Sequence, residues 1–322
     1  MHASLRAGLG AVLAVFLVAP AAEAAPCDGV AFGPDFGSYT CDDLSTPEGV
    51  PGPLGGIAFL NNNTILIGGA ANQGGASIFS VGVVRGAGNH ITGFSGPASL
   101  FAQAPFIDGG LAFGPDGVLF ATGFPNNTLM QFKPGSAAPD KVIDLTALGV
   151  TSSVGTLQFV PDGFGGAGSL KIASFSGNTW YDVDLTADGL GTFDVTPTLV
   201  TSVTGGPEGI VYISDANDGF DVDSILLAEW SVGRVGAYEI DANGDPILAS
   251  RRDFMTSLSG AEGAIIDPLT GDFLFSTFGG GDRILVISGF VAPEPPTPGI
   301  PEPATLALIG LGLLALARLR RA

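Results

Sequence analysis

The chain has 322 residues, and its 31 acidic residues against 12 basic ones give a formal net charge of −19. This balance excludes a nucleic-acid partner, because phosphate contacts need lysine and arginine. It leaves cations, neutral glycans and basic protein surfaces as partners. Fifty glycines disfavour helices, while the many aliphatic and phenylalanine residues argue against disorder. We therefore expect an all-β chain.

The first 24 residues are predicted to form a signal peptide. A single arginine, Arg6, precedes an apolar run over residues 7–21, and the following Ala-Glu-Ala has the A-x-A form of a cleavage site. Residues 25–291 are then an exported ectodomain. That length suits one large all-β domain or two ordinary ones.

The only two cysteines, Cys27 and Cys41, lie just after the predicted cleavage site. Two cysteines in an exported chain most often pair, and a loop of this size contributes about 3 kcal/mol by chain entropy. A redox or metal-binding thiol pair is disfavoured, because the spacing is not C-x-x-C and no histidine is near. We therefore expect a disulfide.

Five segments of the ectodomain open with the same pattern of small and apolar residues. They lie 54, 46, 53 and 54 residues apart and begin at Gly56, Gly110, Thr156, Gly209 and Gly263. After each opening we predict a turn, a second strand and then a third strand such as SIFSV or RILVIS. Periods of about 40 to 50 residues with three or four strands are typical of a β-propeller. A β-sandwich or a β-solenoid is the alternative.

The last repeat has only three predicted strands, so the ring needs another segment to close it. Residues Tyr39 to Leu44 are predicted to supply that strand, pinned by the disulfide. This arrangement gives five blades, or six if residues 29–45 begin a blade of their own. The repeated G-I-A-F, P-D-G and strand pattern resembles NHL-type and gluconolactonase-like propellers in its repeat architecture.

The residue types that most enzymes use are scarce. Apart from His2 in the signal peptide, His90 is the only histidine, and we interpret it as a loop residue. The chain has no G-x-S-x-G elbow and no P-loop. Trp180, Tyr181 and Trp230 lie in strand patterns and are expected in the core, and the alternative is that they are exposed and stack on sugars. We assign no catalytic residue, and an enzymatic role is the less favoured interpretation.

An acidic insert in the fourth repeat, SDANDGFDVDS, is a candidate calcium site. Five oxygen-bearing side chains lie within nine residues of it: Asp215, Asn217, Asp218, Asp221 and Asp223. Oxygen ligands suit calcium, the natural cation outside the cell. The spacing is not that of an EF-hand, however, and a solvated acidic loop between strands is the alternative interpretation.

A second constellation emerges from alignment of the repeats. The residue before each opening, at one end of an innermost strand, is in turn Gly55, Gly109, Gly155, Glu208 and Glu262. Asp108 comes one residue earlier in its own repeat. Two glutamates and an aspartate are therefore expected to converge on the mouth of the central channel.

The resemblance to gluconolactonase-like propellers implies a role for these converging acids. Those proteins hold a divalent ion at the same place with carboxylate and amide ligands, including a glutamate in an E-G-P-like opening. The stretches P-E-G-I at Glu208 and A-E-G-A at Glu262 match that opening in part. The resemblance implies a metal ion, with calcium as the candidate, whereas carboxylates that merely solvate a channel entrance are the alternative.

The C-terminal segment combines a proline-rich stretch, an apolar run and a basic cluster. A proline-rich linker over residues 292–300 leads to Pro301, Glu302 and Pro303. An apolar segment over residues 304–317 is predicted as a short transmembrane helix. The chain then ends with a basic cluster that the positive-inside rule places in the cytoplasm, namely Arg318, Arg320 and Arg321.

This layout, over residues 301–322, resembles the PEP-CTERM sorting signal of Gram-negative bacteria. The resemblance implies anchoring in the inner membrane before sorting, recognition by an exosortase, and delivery to the cell surface or the exopolysaccharide matrix.

The function we expect is that of an exported binding or scaffold protein, with exopolysaccharide or another surface protein as its partner. The alternative is a calcium-dependent hydrolase or lactonase that uses Glu208 and Glu262. A matrix structural protein without a specific ligand is a third class.

Overall fold

The computed structural model describes residues 24–292, which form five antiparallel sheets arranged as the blades of a propeller. The N-terminal segment contains the short strands β1 (Ala25–Pro26), β2 (Ala31–Phe32) and β3 (Thr40–Asp43). Six short 3-10 helices connect strands: Pro34–Phe36, Ala87–Asn89, Pro115–Gly117, Thr146–Leu148, Trp230–Val232 and Leu248–Ser250.

Blades 1 to 4 each have four consecutive strands. Blade 5 has three consecutive strands and is completed by the N-terminal segment. Blade 1 comprises β4 (Leu54–Asn61), β5 (Thr64–Gly69), β6 (Ser77–Arg85) and β7 (Ile91–Gln103). Blade 2 comprises β8 (Ile107–Phe113), β9 (Leu119–Gly123), β10 (Thr128–Phe132) and β11 (Lys141–Asp144). Blade 3 comprises β12 (Val154–Phe159), β13 (Leu170–Ser174), β14 (Thr179–Ala187) and β15 (Phe193–Ser202). Blade 4 comprises β16 (Pro207–Ile213), β17 (Ser224–Glu229), β18 (Arg234–Glu239) and β19 (Arg252–Thr256). Blade 5 comprises β20 (Ala261–Ile266), β21 (Phe273–Thr277) and β22 (Ile284–Ser288).

The innermost strands form a closed ring around the channel. Strands β4, β8, β12, β16 and β20 carry the five repeat openings, each contacts the next, and β20 contacts β4. The predicted all-β propeller is therefore confirmed with five blades. A sixth blade does not form, because the strands within residues 29–45 join blades 4 and 5 instead.

The N-terminal segment closes the ring. Strand β3 pairs antiparallel with β22, from Thr40 opposite Ser288 to Asp43 opposite Leu285. Strand β1 extends the same sheet, and β2 pairs with β19 in blade 4. The predicted disulfide joins Cys27 to Cys41 on β3, so it fixes the closing strand as expected.

The core is divided among the interfaces between blades. Each of five apolar clusters draws its buried side chains from two adjacent blades, because the inner strands are covered on both faces. The cluster between blades 4 and 5 is the most aromatic, and N-terminal residues take part in it. Phe36 packs 5.0 Å from Phe254, and Tyr39 packs 4.4 Å from Phe290, between ring centroids.

Polar contacts also tie blade 5 to blade 1. Arg85 donates to both oxygens of the buried Asp267 side chain, at 2.6 and 3.1 Å. His90 Nδ1 lies 2.6 Å from Asp272 Oδ2. His90 thus lies at the end of a surface turn, as expected for a loop residue.

Within residues 24–292, no helix has the length and apolar character needed to cross a membrane. The predicted signal peptide, the linker beyond Ala292 and the predicted transmembrane helix over 304–317 lie outside the described residues.

Replacing both cysteines by serine should lower the free energy of unfolding by about 3 kcal/mol, because the closing strand loses its covalent constraint in the unfolded chain. Urea denaturation of the oxidised protein measures the change. Ser38→Ala, an exposed neighbour of the closing strand, is the matched control and should behave like the parent. A double variant as stable as the parent would show that strand pairing alone closes the ring.

Candidate functional site

Three carboxylates meet at one end of the central channel. Asp108 lies on β8, Glu208 on β16 and Glu262 on β20, and their nearest oxygens all lie within 4.8 Å of one another. The three residues are only 1 to 3% exposed. Among residues 24–292, this is the one group of three or more His, Cys, Asp or Glu side chains close enough to share a metal ion.

Glycines in the neighbouring blades make room for these side chains. A Cβ atom at Gly109 would lie 2.5 Å from Glu208 Oε2, and one at Gly155 would lie 2.8 Å from the same oxygen. At Gly55 a Cβ would lie 2.8 Å from the Asp108 backbone oxygen. At the aligned position, blades 1, 2 and 3 therefore contribute glycine, and this leaves space for the glutamate side chains that blades 4 and 5 have there.

Four oxygens at the channel end have no hydrogen-bond partner among the described residues. They are Asn72 Oδ1, Asp108 Oδ2, Glu208 Oε2 and Glu262 Oε1. Leaving a buried polar group unpaired costs about 1 to 3 kcal/mol, and more when the group is charged. All four atoms are acceptors when the acids are ionised, so the site is suited to a cation.

Burial governs the ionisation of the three acids. Burial raises the pKa of Asp108 to about 7, although hydrogen bonds from the side chains of Glu262 and Asn72 and the backbone of Gly109 oppose the rise. Burial also raises the pKa of Glu208 well above its usual range, and the charge of Asp108 adds to the effect. The pKa of Glu262 is raised by burial first and then by the charges of Glu208 and Asp108.

An aromatic wall surrounds the carboxylates. The cavity at the channel mouth has a volume of about 270 Å³, and besides Asn72 and the three acids it is lined by Phe124, Phe175, Trp230 and Phe278. Neighbouring rings meet edge to face, with centroids 5.8, 5.8 and 6.3 Å apart. We call Asn72 and the acids the floor of the mouth, and the four rings its wall.

The wall arises from one repeated position. Each of its residues directly follows the second strand of its blade, and blade 1 has Ala70 at that place. Backbone N–H groups anchor three of them to the segment entering the innermost strand of the same blade. Phe124 donates to Phe106, Trp230 to Gly206 and Phe278 to Gly260, at 2.8 to 3.0 Å between nitrogen and oxygen.

Sequence reasoning placed the three acids together but missed the wall. Trp180 and Tyr181 are buried as expected, whereas Trp230 is half-buried and lines the mouth rather than filling the core. The available signal was the aromatic residue that ends the second-strand stretches ATGF, ASF, AEW and STF.

The acidic insert shows no comparable arrangement. Asp215, Asp218 and Asp221 are exposed, and no three carboxylates of the insert converge. Asn217 is buried, but its amide is satisfied within the protein: it donates to Ser214 and accepts from the Val291 N–H at 2.7 Å. Asp223 accepts a hydrogen bond from the backbone N–H of Asp215. The geometry therefore favours the channel mouth over the insert.

Solved structures that resemble the chain have diverse descriptions. An auxiliary nutrient binding protein from Bacteroides ovatus is 13% identical, with a TM-score of 0.47 over 80% of this chain and 68% of the other. A putative 6-phosphogluconolactonase from Bacteroides uniformis is 16% identical, with a TM-score of 0.42 over 85% and 80%. A gluconolactonase from Xanthomonas campestris is 11% identical, with a TM-score of 0.44 over 84% and 98%. At these identities no activity transfers to this chain.

No curated protein matches the chain at a significant level. A family model does match the C-terminus: the PEP-CTERM protein-sorting motif covers residues 299–321. That range includes the predicted Pro-Glu-Pro turn, the apolar segment and the three arginines. The chain therefore carries a PEP-CTERM sorting motif, which implies export, surface sorting and processing by an exosortase.

Proposed function

We propose that this protein is a surface-sorted binding propeller that recognises its ligand at the channel mouth through a cation-binding floor. The observation that carries the proposal is the set of four unpartnered oxygens on Asn72, Asp108, Glu208 and Glu262. Three of them belong to almost fully buried acids. Such groups are costly without a positive charge nearby, and a bound cation removes that cost.

Calcium fits the floor, because it prefers carboxylate and amide oxygens in proteins. Asp108, Glu208 and Glu262 would hold the ion, and Asn72 would add its amide oxygen. A bound calcium would supply positive charge to ligand oxygens that enter the mouth. The all-oxygen donor set supports calcium over metals that favour histidine or thiolate ligands.

Sorting places this site at the cell surface. After exosortase processing of a chain first held in the inner membrane of a Gram-negative cell, the mouth would face the exopolysaccharide matrix or a neighbouring surface protein. Either partner is consistent with an acidic, rigid propeller that presents its site from the ends of strands.

A calcium-dependent hydrolase or lactonase is the second candidate, and one observation favours it. The pKa of Asp108, at about 7, suits a general acid or base near neutral pH. The eight side chains that line the mouth, however, include no serine, cysteine, threonine, lysine, arginine or histidine. This lining offers a hydrolase only carboxylates as bases or nucleophiles and only the neutral Asn72 amide and Trp230 indole as donors, so the binding function, which needs no more than the cation-binding floor, is the better supported.

Calcium should raise the melting temperature of EDTA-treated protein by several degrees, because a ligand that binds only the folded state stabilises it. Glu208→Gln and Asp108→Asn should abolish the rise. Asp221→Asn makes the same chemical change in the exposed insert and should leave the rise intact. Loss of the rise in Asp221→Asn alone would move the calcium site to the insert and contradict the proposal.

Gly109→Ala should weaken calcium binding, because its new Cβ would approach within 2.5 Å of Glu208 Oε2 and displace that carboxylate. Calorimetric titration measures the affinity, and we expect a loss of at least about tenfold, equivalent to 1.4 kcal/mol. Gly37→Ala is the control, since no atom lies within 4 Å of its added Cβ. Unchanged affinity in Gly109→Ala would separate Glu208 from calcium binding.

Without a bound cation, the three acids of the floor should make the free energy of unfolding fall as pH rises. The folded state keeps protons on acids whose pKa is raised, while the unfolded state has already released them above about pH 4. The stabilisation is therefore complete below the unfolded pKa, and the part due to Asp108 is lost as pH rises through about 7.

Melting temperatures between about pH 5 and 8 test this dependence. The difference between the parent and an Asp108→Asn/Glu208→Gln variant isolates the floor, because other ionisable groups are common to both. The parent should lose more stability than the variant over this range, and saturating calcium should narrow the difference. Parallel curves in EDTA would contradict the expectation.

A further inference from the structure

The floor and the wall of the mouth make different demands on a ligand. When ionised, the three acids accept hydrogen bonds and donate none. The indole N–H of Trp230 is directed to the backbone oxygen of Phe278, at 3.4 Å. Among the eight lining residues, the other side-chain donor is the amide of Asn72, which also interacts with Asp108. While the acids are ionised and no metal ion is bound, a ligand that enters this mouth must therefore bring hydrogen-bond donors or positive charge, and few acceptors.

The size of the cavity indicates that a metal ion is not the whole occupant. A volume of about 270 Å³ corresponds to roughly nine water molecules at about 30 Å³ each. Four aromatic rings line this space, and a hydrated ion gains little from such an apolar surface. The wall therefore indicates an occupant with carbon substituents.

The electrostatics of the wall agree with those of the floor. Aromatic faces carry negative partial charge and attract cations within about 6 Å of the ring centroid. The edge-to-face contacts along Phe124, Phe175, Trp230 and Phe278 hold the rings at fixed mutual angles, which reduces the entropy lost when a ligand binds. An acidic floor beneath aromatic side chains is an environment for an organic cation.

We propose that the mouth binds an alkylammonium group, whose N–H donors engage Asp108, Glu208 and Glu262 and whose carbon chain packs against the aromatic wall. The inference rests on the proposed cation-binding function and names the ligand class of the same site. An ammonium group offers three donors and no acceptor, so it complements the floor. Calcium and the ammonium group compete for the same oxygens.

Other ligand classes fit less well. An anionic ligand would meet three carboxyl groups and no basic side chain in this lining. A neutral sugar carries as many acceptor oxygens as hydroxyl donors, and the mouth offers those acceptors little besides the Asn72 amide. A bare divalent ion leaves the wall unused. The charged amine is the class that satisfies both surfaces.

Calorimetric titration of the EDTA-treated full-length protein with pentane-1,5-diammonium tests the proposal. The comparison ligands are pentan-1-ol, which keeps the carbon chain without the charge, and glucose. Nα-acetyl-lysine methylamide is added to distinguish a lysine side chain from a free amine as the source of the ammonium group. We expect the diammonium to bind, pentan-1-ol and glucose to bind at least tenfold more weakly, and calcium to displace the amine competitively.

Variants separate the contributions of the two surfaces. Trp230→Leu and Phe124→Leu should each weaken amine binding at least fivefold while leaving calcium binding unchanged, and Glu208→Gln should abolish both. Phe113→Leu, at a partly exposed phenylalanine outside the mouth, is the matched control and should change neither. Circular dichroism shows whether each variant is folded, and a retained calcium response is further evidence of folding for Trp230→Leu, Phe124→Leu and Phe113→Leu.

The outcomes distinguish this inference from the function on which it rests. Calcium binding that depends on Glu208, without amine binding, would overturn the alkylammonium inference and leave the cation-binding function standing. Tighter binding of glucose than of the diammonium would also overturn it, in favour of a saccharide. Failure of both calcium and amine to bind would overturn both proposals.

Discussion

The structure depends on the pairing of β3 with β22, which closes five blades into a ring. Without it blade 5 ends as a three-stranded sheet with an open edge, and open edges invite pairing with other chains. The disulfide, the aromatic cluster around Tyr39 and Phe254, and the pairing of β2 with β19 all hold the N-terminal segment against blades 4 and 5. Residues from opposite ends of the ectodomain thus share one sheet, so the site exists only once the whole ring has formed.

Closure of the ring imposes a second constraint, because side chains at the channel end have little space. Five innermost strands meet there, and buried hydroxyls stitch neighbouring strands together. Thr122 accepts from the Gly110 N–H and donates to the Gly155 oxygen, while Ser276 donates to the Gly55 oxygen. Strands held this closely leave space for few side chains. Glycine in three blades is therefore the condition under which Glu208 and Glu262 occupy the centre.

Three buried acids outside the mouth have basic partners, whereas the acids of the mouth have none within the part of the chain that the structure describes. Buried Lys171 lies 2.7 Å from Asp245 Oδ1, Glu229 pairs with Arg251, and Asp267 pairs with Arg85. Buried charges are usually paired in this way because an uncompensated one is strongly destabilising. Asp108, Glu208 and Glu262 have no basic partner among the described residues. Three acids without a basic partner at one place are a cost to folding that the proposed cation binding would offset, and this makes the mouth the functional centre of our interpretation.

The sequence by itself determined the local and periodic features. Strand, turn and strand recur at a near-constant spacing, so the propeller, the role of residues 39–44 and the disulfide followed from residue types and their order. The sorting motif also follows from a contiguous stretch. Even the convergence of Glu208 and Glu262 was predictable, because equivalent positions of a closed repeat must face one axis.

Only the tertiary structure decided which acidic group forms a site and what surrounds it. The insert around Asp221 has more acidic residues per unit length, yet it is exposed and its carboxylates spread into solvent. The floor draws Asn72 from blade 1 and its acids from blades 2, 4 and 5. The wall takes one ring from each of four blades. Distances between such residues, and the loss of water that raises the pKa of Asp108, are set by packing across the ring and not by neighbours in the chain.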